Sequence, residues 1–154
     1  NTKFQEEKAA LADSSLFNVF DFALVEGDKK SSLKEPMSIV LSQSAAKKYF
    51  GKTAVVGKQL LLTGEAINAT VTGLMKDIPA NSQVRADMLV SMSSTKQIYG
   101  RATSDSEWTN HNFLTYLLMK PNTDVKAFEK KLPAFMAEKM RGNCRCMKHC
   151  FLNH

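Results

Sequence analysis

The chain has 154 residues, 44 % hydrophobic and 23 % charged, which suits one domain, or one domain with a small insert, whose core needs no disulfide support. Its longest apolar runs, such as residues 113–119, fall far short of the roughly 20 residues that span a bilayer. The net charge of +6 does not mark a nucleic-acid binder: the lysine pairs at 29–30, 47–48 and 130–131 are scattered, Arg141, Arg145 and Lys148 supply half the excess, and no basic stripe with interleaved aromatics is present.

The sequence starts at Asn1 inside what reads as a mild helix over residues 3–13, and it is expected to be a piece of a longer polypeptide. An apolar, aromatic-rich stretch from Leu16 to Val25 ends at Glu26-Gly27-Asp28, a turn signal. After a polar loop over residues 29–36, Ser38-Ile39-Val40-Leu41 is short and β-branched, as a buried strand requires. Ser42 is placed to cap a helix over residues 43–50 that carries Ala45, Ala46, Tyr49 and Phe50 on one face, and Gly51 to close it in the left-handed conformation.

Gly51-Lys52-Thr53 imitates the end of a phosphate-binding loop, and the order of elements rules that reading out. Such a loop precedes a helix, so that the free amides of the first turn face the phosphates. Here the glycine follows the helix, at the end whose dipole repels anions. The spacing fails too, because position 46 is Ala where the first glycine belongs, and after Gly57-Lys58 comes Gln59 instead of Ser or Thr.

Beyond Gly57 the pattern becomes period two. Residues 58–63 and 66–75 flank Gly64-Glu65 and predict a hairpin, followed by a loop over residues 76–82 in which Pro79 ends the strand. Residues 87–92 and 113–119 read as further strands, the second buried, with a polar and partly irregular stretch over 93–112 between them. Asn122-Thr123-Asp124 caps a helix with Val125, Phe128, Leu132, Phe135, Met136 and Met140 on one face, and Pro133 predicts a kink or a second start.

Catalytic chemistry finds little to stand on. Before the tail the only histidine is His111, in a polar loop beside Trp108, and no nucleophile elbow precedes a helix. The expectation is a protein without enzymatic activity or cofactor. The tail concentrates Cys144, Cys146 and Cys150 with His149 and His154, a candidate zinc set. Against it, Cys-x-Cys is tighter than structural zinc sites prefer, and no second ligand pair lies elsewhere. The rival reading is a tail foreign to the domain, since composition shifts abruptly after Met140. Sites therefore reduce to partner-contact surfaces: Trp108 and His111 in one loop, Asn81 and Ser82 in another, although for Trp108 the favoured reading is that it plugs the core.

Taken in order, Phe20-Asp21-Phe22-x-Leu24-x-Glu26-Gly27-Asp28, Leu33-Lys34-Glu35-Pro36, Ile39-Val40-Leu41-Ser42, Ala45-x-Lys47-Lys48-Tyr49-Phe50-Gly51, Gly57-Lys58, Val71-Thr72-Gly73, Lys76-Asp77-Ile78-Pro79-x-Asn81-Ser82 and Leu118-x-Lys120-Pro121 form a fairly specific string. It resembles the MacB-like periplasmic core domain of ABC-transporter permeases, in the form common in Bacteroidetes, over roughly residues 16–140.

The resemblance implies an α+β fold with a porter-like α/β part and a smaller β-rich part, the latter an insert near residues 57–112. It implies an extracytoplasmic domain over residues 1–140, with 141–154 as an atypical tail. The parent permease would sit in the inner membrane with this segment in the periplasm, as a homodimer working with a cytoplasmic ABC ATPase subunit or domain, in export or envelope signalling. The alternative is a stand-alone interaction module with a zinc-loaded tail.

Overall fold

The computed structural model describes residues 8–62, 67–99 and 113–140. The chain forms two compact units, residues 1–102 and 103–154.

The first unit is built on a six-stranded mixed sheet. Its strands are β1 (Ala9–Ala12), β2 (Leu24–Glu26), β3 (Ser38–Ser42), β4 (Gln59–Leu62), β5 (Ile67–Met75) and β6 (Met88–Ser91). Their order is β1-β6-β3-β5-β2, with β4 also paired to β5. Helices α1 (Leu16–Val19), α2 (Gln43–Phe50) and α3 (Thr95–Tyr99) connect them, α3 after a 3-10 turn. Of the expected helix over residues 3–13, residues 3–7 lie outside the described residues and the rest is corrected. Ala9–Ala12 is a strand parallel to β6, because pairing of Leu11 with Val90 and Ala12 with Ser91 outweighs the helical preference of an Ala-Ala-Leu-Ala run.

β3 is buried along its whole length and separates two apolar clusters. Ile39 and Leu41 join Ala45, Ala46 and Val55 on the face toward α2, whereas Val40 joins Phe17, Leu33 and Leu89 on the other. That is the period-two alternation of a strand covered on both faces. Fully burying each Val, Leu or Ile contributes about 1.5–3 kcal/mol, so these two clusters are the main stabilising feature of the unit.

β5 shows a change of phase. Ala69 and Val71 face the α2 side, yet so does Leu74, an odd separation. The reason is a bulge in the parallel β3–β5 ladder: Ile39 pairs with Val71 and Val40 with Gly73, which leaves Thr72 as the extra residue. The Thr72 hydroxyl donates to the Ser32 carbonyl at 2.5 Å, with the Ile39 carbonyl 3.1 Å away as the alternative acceptor of the same proton, so the interruption is bonded. The bulge sends Met75 to the opposite cluster, against Val40 and Leu89.

The β4–β5 hairpin is present, with Leu62 opposite Ile67 and a register symmetric about Gly64-Glu65; the turn lies outside the described residues. In the second unit α4 (Val125–Glu129) and α5 (Leu132–Met140) replace one long helix. Asp124 accepts the Ala127 amide at 3.0 Å as N-cap, and Pro133 falls in the first turn of α5, where its missing N–H costs no helical bond. Residues 113–119, expected as a buried strand, are neither strand nor buried: Leu114 is 81 % and Leu118 72 % exposed.

Candidate functional site

The α2 region is assembled as its sequence dictates. The Ser42 hydroxyl accepts the Ala45 amide at 3.1 Å, and Gly51 ends the helix at φ 69° with its amide donating to the Lys47 carbonyl. Nearby, the Gly57 amide donates to the Val71 carbonyl at 2.7 Å and the Lys58 amide to Val55 at 3.0 Å. Those three amides are spent within the protein, and Gly51 stands after the last turn of α2, not before a first one.

The start of α2 anchors the loop that carries Asn81 and Ser82. β3 and β5 run parallel and end side by side, with Ser42 opposite Met75, and Ser44 in the first turn of α2 meets Asp77, each two residues beyond its strand's end. The Asp77 carboxylate accepts the Ser44 amide at 2.9 Å and the Ser44 hydroxyl at 2.6 Å. The Ser44 hydroxyl first, then its amide, hold the Asp77 carboxyl below the usual carboxylate range. α2 has no acid of its own in its first turn, so Asp77 supplies from the neighbouring loop the negative charge its N-terminus favours.

The far end of the loop is held as well. The Ser42 amide donates to the Asp87 carbonyl at 2.9 Å, and the Ser42 hydroxyl lies 3.4 Å from the Asp87 carboxylate. Lys8 adds an ion pair to Asp87 at 3.6 Å. Between these anchors the Ser82 amide donates to the Pro79 carbonyl at 2.9 Å, leaving Asn81 exposed and Ser82 half-buried. A shallow depression lies beside the loop, lined by Lys8, Ile78, Pro79, Ala80, Arg85, Ala86 and Asp87. This mixed apolar and charged surface, on a loop pinned at both ends, suits contact with a partner.

Trp108 and His111 of the other expected loop lie outside the described residues, as do Cys144, Cys146, His149, Cys150 and His154. Among the described residues no group of three or more His, Cys, Asp or Glu side chains is placed to hold a metal ion. Sequence reasoning missed the Ser44–Asp77 clasp. Its signal was the equal offset of the two residues from the ends of adjacent parallel strands, which shows only once the β3–β5 register is known.

The model of the MacB-like periplasmic core domain matches residues 2–135, and the chain belongs to that family. Among solved structures it is similar to a domain of a protein described as a permease from Porphyromonas gingivalis, with a TM-score of 0.66 and 23 % identity over 90 % of this chain and 62 % of that one. It is also similar to the periplasmic region of MacB from Actinobacillus actinomycetemcomitans, with a TM-score of 0.52 and 14 % identity over 82 % of this chain and 53 % of that one. The chain thus spans less than two thirds of either neighbour. Among curated proteins none matches.

Proposed function

We propose that the chain is the extracytoplasmic part of an ABC-type transporter permease, facing the periplasm from the inner membrane. Its role there is mechanical and not catalytic. It transmits movement between membrane helices, driven by ATP hydrolysis on a cytoplasmic ABC subunit or domain, to a substrate or envelope partner in export or signalling. The family match over residues 2–135 carries this reading.

The pinned loop supports it in physical terms. A surface that passes force must not yield locally, and Asp77 and Asp87 tie both ends of residues 77–87 to the helix and strand beneath. Asn81 and Ser82 at the loop's tip are the residues proposed to touch the partner.

The test uses the full-length parent permease, reconstituted with its ATPase. Replacing Asn81 and Ser82 together by Trp is expected to lower transport or signalling at least tenfold while ATP hydrolysis continues. Unchanged output would remove the loop from the mechanism, and specific ATP binding by the isolated chain in calorimetry would contradict the division of labour.

A further inference from the structure

Between Glu35 and Glu65 the sequence contains no acidic residue and four lysines, Lys47, Lys48, Lys52 and Lys58. The fold brings two of them together just beyond α2, whose last turn carries Lys47 and Lys48. Gly51 turns the chain at the end of α2, Gly57 turns it back at φ 83°, and the short segment between them brings Lys52 and Lys58 together. Lys58 holds its ammonium 5.4 Å from the centre of the Phe50 ring, and Lys48 holds its own at the same distance from the Tyr49 ring. Burial lowers the Lys58 pKa, and the adjoining Lys52 lowers it further. Two like charges this close are an unfavourable arrangement that an anion between them would relieve.

The apolar groups of the patch are as informative as the charged ones. Val56, at the turn between Lys52 and Lys58, is 37 % exposed. Tyr49 and Phe50 are half-buried beneath their lysines. A free phosphate has no use for an apolar tip set among cations. A bilayer interface does, since lysines meet the phosphate plane while aliphatic and aromatic side chains enter the boundary below it.

We propose that Lys48, Lys52 and Lys58, with Val56 at the tip, dock the domain on the phosphate-bearing surface of an anionic lipid membrane. This rests on the permease reading, which sets the domain beside a bilayer. The patch then acts as a reversible foot that sets the distance between domain and membrane.

Co-sedimentation of the 154-residue chain with vesicles tests it, using pure phosphatidylcholine and an equal mixture with phosphatidylglycerol. Binding is expected to the mixed vesicles alone, and to fall roughly 100-fold in K48Q/K52Q/K58Q, at about fivefold per lysine near the surface. Val56→Asp should also weaken it, and K30Q/K34Q, on a different loop, should not. Matched melting curves establish that the variants are folded. Equal binding to both vesicles, no loss in the triple variant, or displacement by polyglutamate at concentrations where the lipid is in excess would overturn the proposal. Such a failure leaves the permease reading standing, because transport by the full-length parent is a separate measurement.

Discussion

Gly27 and Gly51 both have positive φ, but their surroundings give substitutions different costs. A Cβ on Gly27 would lie 2.6 Å from the Thr72 carbonyl oxygen and 2.9 Å from the Gly73 Cα, both backbone atoms that cannot step aside. Gly27→Ala should therefore cost about 3 kcal/mol or more, from strain and overpacking together. A Cβ on Gly51 meets nothing within 4 Å, and Gly51→Ala should cost only the left-handed backbone term of about 1–2 kcal/mol. Urea unfolding of the two variants side by side checks the ranking. Asp77 offers a pH test. Its folded pKa is depressed by the Ser44 hydroxyl and amide, so its contribution is present above the unfolded value of 3.8 and fades as pH falls through the folded value. Asp77→Ala should lose about 1 kcal/mol at neutral pH, discounted for its exposure to solvent. That deficit should shrink when unfolding is repeated below pH ~4.

The elements legible in the sequence were those whose signals are local. Ser42 and Gly51 mark both ends of α2 in the chain itself, and the period-two run after Gly57 announces the hairpin. The bulge at Thr72 was invisible because it is a property of two strands, and so was the clasp that depends on the same ladder. Ala9–Ala12 went to the wrong class for a related reason: its own composition favours a helix, and only β6 beside it makes a strand. Residues 113–119 have a strand's composition and, among the described residues, no ladder partner. The bulge yields the prediction proper to this scale. Deleting Thr72, the extra residue, should restore plain alternation along β5 and leave Leu74 and Met75 against the clusters they meet now. A cooperative thermal transition is expected to survive that deletion, and its loss would contradict this register; Thr72→Val, which removes only the hydroxyl bonding, should lower stability by about 1–2 kcal/mol.

For the whole molecule, the family match gives the class of protein, and the geometry suggests how such a domain works. The sheet is rigid because β3 is sealed on both faces, and the exposed loop over residues 77–87 is tied to that sheet at each end. In the proposed mechanical role, motion entering such a body would be passed on at the loop. The candidate contacts on that loop were legible in the sequence as exposed polar residues, but their anchoring was not. Location is the premise beneath this account, and it can be measured directly. The full-length parent permease is expressed in cells with Cys144, Cys146 and Cys150 replaced by Ser and Asn81 replaced by Cys, then treated with a membrane-impermeant maleimide that enters the periplasm. Labelling of position 81 in intact cells is the predicted result; labelling only after the inner membrane is broken would contradict it.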